Sequence, residues 1–268
     1  MLHKIIKGVA PAAALVLAAG LSGCNSNLDI KINDSEGVPL AKLDMSGDPP
    51  TELVLAGPDQ VVISDGDALA IDVEGDPAVT EKLRFTLEDG TLGIMREKGN
   101  WKDKGTATIR VTMPAPKAIV LAGSGKISAQ SMADQASVTI AGSGEASASA
   151  IAAEKLEVTI AGSGTFMAAG TAKALELTIA GSGSGKMAGL KADSAEITIA
   201  GSGSADFASD GKVEASIMGS GDVNITGNAT CEVSSMGSGK VRCQATAPEA
   251  GTSDAEPKGD AAEEAADE

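Results

Sequence analysis

The chain has 268 residues and a formal net charge of -16, with 21 Lys and Arg against 37 Asp and Glu. A polyanion such as DNA is repelled by that charge, so no nucleic-acid partner is expected. With three Phe, one Trp, no Tyr and the single histidine His3, the chain lacks aromatic platforms for sugars or single strands, and histidine-based nucleophile pairs are confined to one N-terminal residue. What remains is Gly, Ala, Ser, Thr and aliphatics, a composition of thin strands and turns with no cofactor, resident metal or catalytic residue expected.

Residues 1–23 read as an export leader. Lys4 and Lys7 make a positive start, and residues 9–21 make an apolar stretch shorter than the roughly 20 residues a membrane span needs. The leader ends in Leu21-Ser22-Gly23-Cys24, which resembles a bacterial lipobox. That resemblance implies cleavage before Cys24 and acylation of its thiol and new amino group, an anchor of several acyl chains. A plain secretory signal with an incidental cysteine is the alternative. Cleavage removes Lys4, Lys7 and His3, taking the net charge from -16 to -18. Asn25, where an Asp resembles an inner-membrane retention signal, points to the outer membrane. Residues 24–50, with Pro39, Pro49 and Pro50, read as a tether carrying one short strand at residues 28–32.

Residues 51–121 alternate in short runs: Leu53-Val54-Leu55, Val61-Val62-Ile63, Ala70-Ile71-Asp72-Val73, Leu83-Arg84-Phe85, Thr91-Leu92-Gly93-Ile94 and Thr108-Ile109-Arg110-Val111. Turn signals separate them at Gly57-Pro58-Asp59, Asp65-Gly66-Asp67 and Asp89-Gly90. This segment is expected to be a strand-rich cap over an otherwise open end. Trp101 stands in a polar loop, packed over the cap or serving as a ligand anchor.

Residues 122–246 repeat. Gly-Ser-Gly begins at Gly123, Gly142, Gly162, Gly181, Gly201, Gly219 and Gly237, at spacings of 19, 20, 19, 20, 18 and 18. Runs such as Leu156-Glu157-Val158-Thr159-Ile160 precede the triplets with a period of two, aliphatics on one face and Glu and Thr on the other. Units this short cannot bury an apolar face alone and must stack. The expected fold is all-β: a single-stranded parallel β-helix, right-handed by the usual hand of parallel crossovers, with seven corners rising about 30 Å. Six residues after each first glycine come Ala129, Ala148, Ala168, Met187, Phe207, Ile225 and Cys243, an inward column whose small members require narrow coils.

Five residues before the later triplets stand Glu157, Glu176, Glu196, Glu214 and Glu232, an outward ladder of carboxylates. Neighbours about 4.8 Å apart repel by up to about 1 kcal/mol in water. Solvation with lysines such as Lys155 and Lys212 relieves this, or else the ladder holds a cation or a partner. The triplet serines form a column of their own, read as corner hydrogen bonding, since no base accompanies them. Cys231 and Cys243 fall in inward columns six residues either side of Gly237 and are either a disulfide or two buried thiols. Residues 247–268, with eight acids against Lys258, make a tail of net charge -7 that is expected to be disordered.

The order Leu55-Ala56-Gly57-Pro58, Val61-Val62-Ile63, Asp89-Gly90-Thr91-Leu92, a strand from Ile109 ending in Pro114, and serial Ile-Ala-Gly-Ser-Gly resembles the head GIN domain family of bacterial proteins, described as auto-transporter adhesins. The resemblance covers about residues 51–245 and implies a β-helical domain on an exported, often lipid-anchored protein without established catalytic residues. The expected function is a non-catalytic lipoprotein of the cell envelope, outer membrane favoured, presenting an adhesin-like surface to an envelope protein or surface polysaccharide. Two alternatives stand beside it: a β-helical enzyme cleaving polysaccharide with clustered carboxylates, and a purely structural envelope spacer.

Overall fold

The computed structural model describes residues 15–17, 30–32, 35–97 and 105–244. Cys24, most of the leader, Trp101 and the tail 247–268 lie outside them. In chain order the strands are β1 (Leu15–Leu17), β2 (Ile30–Ile32), β3 (Glu52–Ala56), β4 (Gln60–Asp65), β5 (Ala70–Glu74), β6 (Leu83–Glu88), β7 (Thr91–Arg96), β8 (Thr108–Met113), β9 (Ala118–Gly123) and β10 (Lys126–Ser131). There follow β11 (Gln135–Gly142), β12 (Glu145–Gly162), β13 (Thr165–Gly181), β14 (Ser184–Gly201), β15 (Ser204–Gly219), β16 (Asp222–Thr226), β17 (Thr230–Gly237) and β18 (Lys240–Gln244). β1 pairs antiparallel with β2, which falls where the tether was expected to carry a strand.

From β9 onward the chain is a parallel β-solenoid with one Gly-Ser-Gly corner per coil. Each coil runs along a first sheet, turns at the triplet and returns along a second. The first sheet keeps one register throughout: Gly123, Gly142, Gly162, Gly181, Gly201, Gly219 and Gly237 stand one above the next. Coil lengths nevertheless vary. The extra residues are absorbed at the far bend, where register shifts fall between Ala148 and Ile151, Met167 and Ala169, and Met187 and Lys191. Beyond that bend a short third side, such as Ile151 to Ala153 beside Gly170 to Ala172, leads back to the first sheet.

The corner explains its own sequence. Gly181 has φ +122°, and a Cβ built there would lie 2.5 Å from the carbonyl oxygen of Gly162. A Cβ on Gly183 would meet Ile160 Cγ2 at 2.5 Å, so the third position also admits only glycine. Between them the serine N–H donates to the first glycine of the preceding coil, at 2.9–3.0 Å from Ser143 to Ser238. The peptide makes this corner bond. The serine hydroxyls of the triplets make no hydrogen bond among the described residues.

The interior is an apolar column. Leu156, Val158, Ile160, Leu175, Leu177, Ile179, Ile197 and Ile199 from the first sheet meet Ala146, Ala148, Phe166, Met187 and Phe207 from the second, all buried. Narrowness is managed by pairing large with small: Phe166 has Ala146 and Gly185 on its two neighbouring coils. The expected inward column is buried from Ala129 to Ile225, but its last member, Cys243, is exposed, with no coil beyond it among the described residues.

The segment before the repeats is more than a cap. β3, the corner Gly57-Pro58-Asp59 and β4 form a complete coil in register with β9 and β10, Ala56 beside Ala122 and Gln60 beside Lys126. β7 and β8 form another coil, yet β7 pairs with the far side of β3 and β8 with the far side of β4. The second coil in sequence is thus the first in space. Capping falls to β5, antiparallel on β8, and β6, antiparallel on β7. Over β6 lies part of the expected tether: Val38 bridges Phe85, and Leu40 and Leu43 pack on the core. Those apolar side chains dock a stretch that its prolines alone mark as a linker.

Candidate interaction surface

The outer face of the first sheet is built from three aligned columns. Glu157, Glu176, Glu196, Glu214 and Glu232 stack in register, as the repeat predicted. Two residues along, Thr139, Thr159, Thr178, Thr198, Ser216 and Ser234 form a hydroxyl column. At the corner edge Ala161, Ala180 and Ala200 give way to Met218 and Met236, 55% and 71% exposed.

Two lysines organise the ladder. Lys155 lies 2.9 Å from Glu176 and 3.7 Å from Glu157, while Lys212 lies 2.6 Å from Glu214 and 3.3 Å from Glu232. Hydrogen bonding to Glu176, helped by the charges of Glu176 and Glu157, holds the Lys155 ammonium above the ordinary lysine range. Glu214 and then Glu232 do the same for Lys212. Glu196, at the centre, has no ion pair among the described residues. With Thr198, Glu214, Ser216, Glu232 and Ser234 it lines a shallow groove across the last coils. The ladder carboxylates are 37–75% exposed where they pair, so they present charge to solvent and enclose nothing. Among the described residues, no group of three or more His, Cys, Asp or Glu is placed to hold a metal ion.

Further ion pairs staple successive coils at the other bends. Glu154 pairs with Lys173 at 2.5 Å and Asp210 with Lys191 at 2.6 Å. Lys173 draws the Glu154 carboxyl below its ordinary value, and the Asn228 N–H, then Lys191, do so for Asp210.

At the last coil Cys231 and Cys243 are joined by a disulfide, their Cα atoms 6.7 Å apart. Cys231 continues the column of Val213 and Cys243 that of Ile225, the placement that their spacing about Gly237 dictated.

One constellation has no signal in the sequence. Arg96 donates from Nε to Asp59 Oδ2 at 2.7 Å and from Nη2 to Oδ1, and the Ala107 N–H donates to the same Oδ1 at 2.8 Å. Arg96 also donates to the Gly105 carbonyl at 2.9 Å. The two residues lie 37 positions apart, and only the inserted coil brings them together.

Comparison with known proteins agrees with this geometry. In structure, the chain resembles a "putative adhesin" from Bacteroides fragilis, with TM-score 0.65 and 18% identity over 73% of this chain and 93% of that one. A "putative lipid binding protein" from Parabacteroides distasonis matches with TM-score 0.59 and 23% identity over 74% and 93%. A "putative adhesin" from Parabacteroides merdae matches with TM-score 0.57 and 18% identity over 74% and 92%. No curated protein matches the chain in sequence. The family model described as "putative auto-transporter adhesin, head GIN domain" matches residues 49–229. Taken with the solenoid it spans, that match shows that the chain belongs to the head GIN domain family.

Proposed function

We propose that the protein is a non-catalytic lipoprotein of the cell envelope, held in the outer membrane by acyl chains on Cys24, and that the solenoid is its adhesive surface. The observation that carries this reading is the outer face of the first sheet, where a Glu column and a Thr/Ser column repeat coil after coil on an open surface, with Lys155 and Lys212 pairing into the first. Such an array offers many equal weak contacts to an extended partner, a surface polysaccharide or an envelope protein. Membership of an adhesin family supports the same reading. No helix among the described residues is long and apolar enough to cross a membrane. In this reading the attachment is the set of acyl chains on Cys24.

The chain enters the fold at the capped end, where Val38 meets Phe85. An anchor at Cys24 leaves ten residues before Ser35, a reach of up to about 35 Å. The last coil then points away from the membrane. The test is Cys24→Ala in intact cells, with membrane fractionation and protease accessibility of the Lys and Arg sites as readouts. Wild type is expected in the membrane fraction and cleavable from outside, and the variant released from the membrane. A membrane-bound variant overturns the anchor, and a wild type protected from protease overturns surface display. Turnover on a polysaccharide panel would overturn the non-catalytic reading.

A further inference from the structure

The two ends of the solenoid are finished differently. At the first end β6 is covered by the Val38 segment, and β5 has five residues with Asp72 and Glu74 facing solvent, both means of blunting an edge. At the other end β17 and β18 offer eight and five residues of edge with no strand beyond them among the described residues. Val233 belongs to the inward column of Leu177, Ile197 and Ala215 but is 48% exposed, and Ser235 takes the inward place of Ile217.

We propose that this end is a self-association surface, on which two copies join about a two-fold axis. Cys231 and Cys243, six residues either side of the corner, are 6.7 Å apart at Cα, so β17 and β18 run side by side in opposite directions. A two-fold axis parallel to them and between the two sheets lays β17 of one copy antiparallel on β18 of the other, and the reverse, so that both edges close together. The charges suit this arrangement. Glu232 points outward from β17, while Lys240 and Arg242 point outward from β18 and have no ion pair among the described residues. The axis sets the acid of each copy against the cations of the other. Because the first end is capped, the association closes at two copies.

The end measures about 26 Å by 10 Å, well below the roughly 800 Å² per partner of a standard interface. Net charge -7 on residues 247–268, which follow this end, also opposes the contact. The contact is therefore weak singly and gains strength where two facing membranes each carry many copies. Resting on the anchored reading above, it joins copies standing on two facing surfaces, since the anchored ends point apart.

Sedimentation velocity of the full chain in detergent, across a dilution series, reads association with or without the anchor. The wild-type mass is expected to rise with concentration from one chain to two. Lys240→Glu with Arg242→Glu, and separately Glu232→Arg, should each stay at one chain. Mixing these two variants restores opposite charges at both contacts and should restore the rise to two. Wild type remaining single at every concentration, variants that associate like wild type, an inert mixture, or growth beyond two chains would each overturn the proposal. Failure of the anchored reading shows separately, as Cys24→Ala retained in the membrane.

Discussion

Asp59 and Arg96 form a two-pronged ion pair with each side chain 1% exposed, at the corner where the later coils carry Gly-Ser-Gly. Asp59 occupies the place of the third glycine, since Gln60 beside it pairs with Lys126. The close backbone approach that glycine permits in the repeats is replaced here by a carboxylate that also holds the Ala107 N–H, tying the inserted coil β7–β8 to the coil β3–β4.

Removing one partner of this pair leaves a buried charge alone. Asp59→Ala is expected to lose about 3–5 kcal/mol of stability, while Asp59→Ala with Arg96→Met loses less than the single change. Urea denaturation of the two variants checks this. A single variant within about 1 kcal/mol of wild type would show that water reaches the site.

Gly181→Ala strains a backbone at φ +122° and drives a methyl against the Gly162 carbonyl. We expect a loss of about 2–4 kcal/mol, whereas Ser182→Ala, which keeps the peptide N–H bond, stays within about 0.5 kcal/mol of wild type. Thermal melts of both variants distinguish a corner held by its backbone from one held by its hydroxyl.

The ladder ion pairs set a pH dependence whose sign follows from the shifts. A lysine raised in the fold contributes in full below its ordinary value of about 10.4 and loses that contribution as pH climbs through the raised value. Lys155→Met should therefore melt slightly below wild type near neutrality, by the 0.2–1 kcal/mol or so of an exposed pair, and the gap should close at high pH. Glu154 works in the opposite direction: its carboxyl is lowered, so its pairing with Lys173 is present above the ordinary carboxylate value and fades as pH falls through the lowered one. A Lys155→Met gap that does not change with pH would mean that packing, not charge, is what the lysine supplies.

Reduction of Cys231–Cys243 frees a coil that, among the described residues, has a neighbour on one side only. Hydrogen exchange in β17 and β18 is expected to quicken on reduction or in Cys231→Ser, with β13 and β14 unchanged. Thiol labelling of unfolded, unreduced protein should find neither cysteine; a labelled pair would overturn the bridge.

Much of the fold was legible because the repeat makes sequence columns into physical ones. Equal corners and a side-chain period of two place Glu157, Glu176, Glu196, Glu214 and Glu232 on one outward line before any coordinate is known, and set Cys231 opposite Cys243. Lys155 and Lys212 were likewise identifiable as the cations within reach.

What the sequence determined by itself, then, was the solenoid and the content of its faces, since parallel stacking in register needs only local periodicity and a residue small enough at the corner. Tertiary structure alone decided the order of the first coils, the docking of Val38 and Leu43 over β6, and the burial of Asp59 with Arg96. Those features join non-repeating segments tens of residues apart. No period relates such segments, so only the edge left free by β3 selects β7 as its neighbour.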